Sequence, residues 1–166
     1  MNVVTGAEIK VGIAEWRVAK SPKKVVTLGL GSCVGVTLYD RLTKIGGLAH
    51  IMLPNSEQFP NTSNAAKFAD LALPLMLEEM LKLGINRLGL VAKLVGGAQM
   101  FSYNSKRNDI LNIGARNIAS CRAVLSKLNI KIIAGNTGGN YGRTMIFDTE
   151  NGDVYIRVLG NPIITI

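Results

Sequence analysis

Thr27-Leu28-Gly29-Leu30-Gly31-Ser32-Cys33-Val34-Gly35-Val36-Thr37-Leu38-Tyr39, then Asp40-Arg41-Leu42-Thr43-Lys44, then Ile45-Gly46-Gly47-Leu48-Ala49-His50-Ile51-Met52-Leu53, is the stretch whose reading decides the fold. Two apolar, β-prone runs flank a short polar connection, which reads as a β-hairpin. The first run begins at a cysteine after a glycine-rich approach. The second carries the only histidine of the chain. Facing residues of an antiparallel pair are equidistant from the centre of the turn. Pairing Cys33 with His50 places that centre between Arg41 and Leu42, inside the connection. In that register the two side chains lie opposite each other, with Cβ atoms about 4.5–5.5 Å apart. The spacing suits a thiolate–imidazolium pair, in which a base turns a thiol into a nucleophile. A slip of one residue would change which side chains share a face.

The same two residues also admit a plainer reading. Free cysteine is among the most buried residue types and packs as a small hydrophobe. A lone histidine on an apolar strand also serves as a satisfied core residue. From the residues alone, both readings stand.

Outward from the hairpin, the chain reads as one domain over all 166 residues, long enough to bury a core. Glu8 to Val18 alternates loosely and predicts a strand, as does Val25 to Leu28. Asn55 to Asn64 is a polar loop that could rim the site. Thr62-Ser63-Asn64 offers N-caps to a helix carrying Phe68, Leu71, Ala72, Leu75, Met76 and Met80, with Gly84 as its stop. Pro74 inside it predicts a kink or a boundary. Leu88 to Val95 predicts a buried strand ending at Gly96-Gly97. Ile113 to Leu128 predicts a second helix, with Ile118, Cys121, Leu125 and Leu128 on its apolar stripe, which makes Cys121 core packing. Ile130 to Ala134, Arg143 to Asp148 and Val154 to Leu159 predict strands. The last two flank a turn containing Asn151-Gly152. The apolar tail Pro162 to Ile166 is expected to dock. The sum is an α/β layered sandwich with a mixed, largely antiparallel β-sheet and two main helices.

Composition excludes several classes. Two cysteines form no disulfide framework. The N-terminal twenty residues contain no uninterrupted apolar region of signal-peptide type, and no run approaches the roughly 18 residues that span a bilayer. A reduced, cytoplasmic protein without direct membrane insertion is the expectation. One His and two distant Cys make no metal-ligand cluster, so no metal is expected. Gly138-Gly139-Asn140-Tyr141-Gly142-Arg143 lacks the Gly-Lys-Ser/Thr ending of a phosphate loop, and no Gly-x-Ser-x-Gly elbow occurs. The net charge of +8 is scattered, as at Lys23-Lys24 and Lys106-Arg107, and aromatics are few. Nucleic-acid binding is therefore disfavoured; a merely solvated basic surface stands beside steering toward an acidic protein, which is the preferred functional reading of the charge.

The chain resembles the CheD family of chemoreceptor glutamine deamidases. The matching segments are Leu30 to Val34, Gly46 to Pro54, Ala92 to Ala98, Ile113 to Asn117 and Gly138 to Arg143, in family order along nearly the whole chain. One departure is visible: the family's common Asp before the Gly-Gly pair is replaced here, at Asn136 or Thr137. The resemblance implies hydrolysis of selected glutamine side chains of methyl-accepting chemoreceptors to glutamate, with release of ammonia. It implies Cys33 as nucleophile, His50 as general base and acid, and Thr27 as the residue orienting His50. It further implies a CheC-type phosphatase as partner, no cofactor, and a fold like the deamidase domain of the cytotoxic necrotizing factor toxins. Two other readings remain: a non-catalytic module regulating a CheC-type phosphatase, and a receptor glutamate methylesterase.

Overall fold

The computed structural model describes residues 8–100 and 112–166. The basic pair Lys106-Arg107 lies outside the described residues. The strands are β1 (Glu8–Val11), β2 (Trp16–Lys20), β3 (Lys24–Leu30), β4 (Val34–Asp40), β5 (Ile45–Ile51), β6 (Leu90–Gly96), β7 (Lys131–Thr137), β8 (Arg143–Asp148), β9 (Val154–Arg157) and β10 (Ile164–Thr165). The helices are α1 (Ala69–Lys82) and α2 (Ile113–Lys127).

The strands form two sheets where one was expected. An outer sheet runs β1-β3-β8-β9-β10 and an inner sheet runs β2-β5-β4-β6-β7. Each holds one parallel pair, β1 with β3 and β6 with β7, and is otherwise antiparallel. The split originates in Glu8 to Val18, which is not one strand. The chain turns after Val11, with Ala14 in the left-handed region at φ 58° and Ile13 largely exposed. It thus delivers β1 to one sheet and β2 to the other. The tail does dock, as β10 against β9.

Two cores follow from strand alternation. Val34, Val36, Leu38, Ala49 and Ile51 face the helices and pack on Leu73, Met76, Met80, Cys121 and Leu125. Cys121 is fully buried there, as its place on the stripe predicted. The opposite face of the same hairpin, with Tyr39 and Leu48, packs on Val25, Met145 and Phe147 of the outer sheet. The β4–β5 hairpin is therefore buried on both sides, and every residue of both strands is inaccessible. The pair Gly46-Gly47 makes this possible. A Cβ on Gly46 would lie 2.4 Å from the Phe147 ring, and one on Gly47 would lie 2.7 Å from Met76 Sδ. Each glycine lets a neighbouring layer approach the backbone.

The expected N-cap at Asn64 caps only a short 3-10 turn, Ala65–Lys67. The helix proper starts at Ala69, after Phe68, and runs through Pro74 to a stop before Gly84, whose φ is +91°. Pro74 costs one backbone hydrogen bond near the start of the helix, not a boundary. The loop after β5 is anchored: Ser56 donates from N and Oγ to the Asp70 carboxylate at 2.9 and 2.6 Å. No helix among the described residues is long and apolar enough to cross a membrane.

Candidate active site

β4 and β5 pair with Gly35 opposite His50 and Val34 opposite Ile51. The turn centre is therefore between Leu42 and Thr43, one position beyond the expected one. Cys33 does not face His50 directly. It stands two residues before Gly35, just outside the ladder, so it keeps the same side of the sheet by alternation. That side is the space between the two sheets, where Cys33 packs with Leu30, Leu48, Val95 and Met145.

His50 is fully buried among these residues. Its backbone is fixed by the turn that leads into β2: His50 N donates to Glu15 O at 2.9 Å, and Ala14 N donates to His50 O at 3.1 Å. Its ring reaches across the gap between the sheets to Thr27 on β3, with Nδ1 2.6 Å from Thr27 Oγ1. Thr27 is itself fully buried, and its hydroxyl donates to Val11 O at 2.7 Å. Val11 is the residue paired with Thr27 in the parallel β1–β3 ladder. A hydroxyl has one proton to give, and a carbonyl can only accept. With its proton on Val11 O, Thr27 Oγ1 accepts from Nδ1–H. The neutral ring then carries its lone pair on Nε2. That atom is buried and has no hydrogen-bond partner among the described residues, the Cys33 sulfur included.

Burial sets the resting charge state. Desolvation by burial pushes the His50 pKa from the usual 6.5 down to about 4. The Cys33 thiol is raised by desolvation, partly offset by its own backbone N–H. The expected thiolate–imidazolium pair is thus not the resting state. At neutral pH the site holds a thiol and a neutral imidazole. Cys121 is pushed up to about 12 by complete burial and is chemically inert.

The glycine-rich segments gather at Cys33. Gly97 N donates to Cys33 O, Ala98 N to Gly31 O, Gly138 N to Gly96 O and Gln99 N to Gly139 O, all at 2.8–2.9 Å. Gly96 has φ +109°, and a Cβ there would lie 2.4 Å from the Cys33 carbonyl oxygen. These turns bring main chain against the Cys33 loop, as close-approach glycines do.

The family model described as CheD chemotactic sensory transduction matches residues 52–158. A relative from Moorella thermoacetica, named "Probable chemoreceptor glutamine deamidase CheD", is 55% identical over 161 residues, covering 97% of this chain and 96% of its own. One of the same name from Clostridium kluyveri is 54% identical over 153 residues, covering 92% and 94%. The chain belongs to the CheD family. A solved structure of a Neisseria meningitidis protein of family DUF152 overlaps 75% of this chain and 53% of its own, at TM-score 0.47 and 12% identity.

In this CheD family member, Cys33, His50 and Thr27 share one inter-sheet space, although they come from three strands or strand ends in two sheets. A groove of about 430 Å³ on the far side of the outer sheet, lined by Lys10, Val26, Leu28 and Ile146 among others, touches none of the three. Among the described residues no group of three or more His, Cys, Asp or Glu is gathered. One buried polar residue escaped the sequence reading. Asn117 of α2 is fully buried and donates to the carbonyls of Ser32 and Met52. The signal was present: Asn117, Cys121 and Leu125 recur at four-residue spacing, so a polar residue interrupts an apolar stripe.

Proposed function

We propose that this chain hydrolyses glutamine side-chain amides of chemoreceptor cytoplasmic domains to glutamate, with release of ammonia. Membership of the CheD family and the names of its relatives support the reaction and the substrate class. The observation that carries the mechanism is the buried His50, tied through Nδ1 to Thr27 and left with an unpaired Nε2 on the face that Cys33 shares.

In this reading His50 Nε2 takes the Cys33 proton as the sulfur approaches its electrophile and the contact tightens. The sulfur attacks the glutamine Cδ, and the amide π electrons move to oxygen. The tetrahedral intermediate collapses as imidazolium gives its proton to the departing nitrogen, which leaves as ammonia. Water, deprotonated by His50, then hydrolyses the thioester and returns the thiol. The Cys33 backbone N–H is a candidate oxyanion donor. Thr27 holds the ring in the tautomer this sequence needs. The chemistry calls for no cofactor. A CheC-type phosphatase as partner, and kinship with the toxin deamidases, belong to the same reading.

The test incubates the protein with a receptor cytoplasmic fragment and follows ammonia and a gain of about one dalton at defined Gln residues. Wild type should form product and Cys33→Ala should not. Equal product from Cys33→Ala would refute the nucleophile. Methanol release from esterified receptor without ammonia from glutamine would favour the esterase reading. No product from either protein, with tight binding to a CheC-type phosphatase, would favour the regulatory module.

A further inference from the structure

We infer that Asn117 is a positioning residue that sets the distance between Cys33 and His50, an inference that rests on the reading of those two residues as nucleophile and base. The β4–β5 ladder ends at Val34 and Ile51. Beyond it the two strands expose carbonyls that cannot bond to each other, those of Ser32 and Met52. Asn117 Nδ2 lies 2.9 Å from Ser32 O and 3.1 Å from Met52 O, so both of its hydrogens are used. The amide therefore supplies one more rung at the open end of the hairpin, from a third element. Ser32 immediately precedes the nucleophile, and Met52 lies two residues past the base.

The orientation of this amide is fixed by chemistry. Turned about, Oδ1 would face two carbonyl oxygens. As it stands, Oδ1 is buried without any partner among the described residues. An apolar residue would complete the Cys121 and Leu125 stripe without stranding an acceptor, and burying an unpaired acceptor is unfavourable. The stripe is interrupted where the nucleophile loop must be held against the histidine strand. Cys33 itself lies outside the ladder, and its loop is otherwise held by Gly97 N and Ala98 N. Ser120, one turn along α2, donates to Pro54 O at 2.6 Å and so anchors only the histidine side.

The test needs no receptor. Iodoacetamide alkylation of Cys33 is followed by mass spectrometry at neutral pH in wild type, His50→Gln, Asn117→Ala and the double variant. Removing the base should slow alkylation about tenfold in wild type. In the Asn117→Ala background the same change should matter less than about twofold, because the pair is no longer set. Asn117→Asp keeps the side-chain shape and loses both donors; it should uncouple the pair in the same way and serves where Asn117→Ala does not fold. Ser120→Ala should keep the full tenfold effect. An equal His50→Gln effect with and without Asn117, or uncoupling by Ser120→Ala as well, would overturn the positioning role. No effect of His50→Gln in wild type would instead refute the Cys33–His50 reading, and the inference with it.

Discussion

Thr27 Oγ1 stands between two partners, the Val11 carbonyl at 2.7 Å and His50 Nδ1 at 2.6 Å, and its single proton can serve only one of them. Because the carbonyl cannot donate, the histidine must, and the free lone pair falls on Nε2. In the proposed mechanism a neutral residue thus does the work that an aspartate does in a charged triad, namely fixing the tautomer, without lending the ring a negative charge. This explains how His50 can be both oriented and weakly basic.

Removing the acceptor should release the tautomer. Thr27→Val keeps the shape but leaves Nδ1–H unpaired, and kcat/KM should fall roughly 10- to 100-fold, part of what a positioned base supplies. Thr27→Ser should retain most activity. With one histidine in the chain, ¹⁵N-histidine labelling gives a single ring-nitrogen pair. Wild type should show a protonated Nδ1 and a bare Nε2, and Thr27→Val a mixture. A wild-type spectrum with the proton on Nε2 would reverse the assignment of the base.

Burial of His50 makes stability depend on acid. Its folded pKa of about 4 lies below the usual 6.5, so between these values the unfolded chain binds more protons than the folded one. Stability must then fall as pH drops through that window and level off below it. One proton contributes at most about 1.4 kcal/mol per pH unit, hence roughly 3 kcal/mol across the window. Urea melts at pH 7, 5.5 and 4.5 should show this slope, and His50→Gln should flatten it. The histidine resonances should not titrate above about pH 5. A His50 midpoint near 6.5 would mean that the ring is solvated or paired with a carboxylate.

Gly96 holds the Cys33 loop by having no side chain. Its φ of +109° suits glycine, and a Cβ would meet the Cys33 carbonyl oxygen, a backbone atom that cannot rotate away. Gly96→Ala should therefore cost about 1–3 kcal/mol from the backbone conformation alone. It should also shift the loop enough to lower kcat more than it raises KM. Thermal melts and steady-state ammonia release measure both. Wild-type kinetics with unchanged melting would refute the close approach.

How much of this was legible in the sequence turns on a few residues. The hairpin and the shared face of Cys33 and His50 follow from apolar runs and alternation. The register does not: the Asp40 carboxylate accepts from Leu42 N, Thr43 Oγ1 and Asn86 N, which holds Asp40 as the last rung of β4 opposite Ile45 and centres the turn between Leu42 and Thr43. The error kept parity, and parity is what decides the face. The second sheet was hidden by Ile13, an apolar residue that continues the alternation while sitting exposed in a turn. Thr27 could be assigned only through the family resemblance, since its value comes from a partner on the other sheet. The charge state was misread for a related reason: sequence shows which groups exist, and burial decides whether they ionise.

Asn136 is, with Thr137, one of the two positions at which the chain departs from the resemblance, and its place in the fold gives a carboxylate there a measurable consequence. Arg143 begins β8 on the same interior side as Met145 and Phe147 and is almost wholly buried. Its Nε donates to Asn136 Oδ1 at 2.8 Å across the gap between the sheets, and its guanidinium lies 4.3 Å from the centre of the Tyr141 ring. Among the described residues it forms no salt bridge. A buried guanidinium bonded to a neutral amide gains less than one bonded to a carboxylate, because charge-assisted hydrogen bonds are about twice as strong. Asn136 is only half-buried, so a carboxylate there would lose part of its hydration and no more. Asn136→Asp should therefore raise stability by about 1 kcal/mol, roughly 3 °C in Tm for a chain of this size. The new carboxylate would have a folded pKa below its unfolded one, so the gain should be present at pH 7 and vanish as pH falls below about 4. Melting curves of the two proteins at pH 7 and pH 3.5 separate this from a change in packing, which would persist in acid. A lower Tm for Asn136→Asp at pH 7 would mean that desolvation outweighs the pairing, and that the amide is the better partner for Arg143 in this chain.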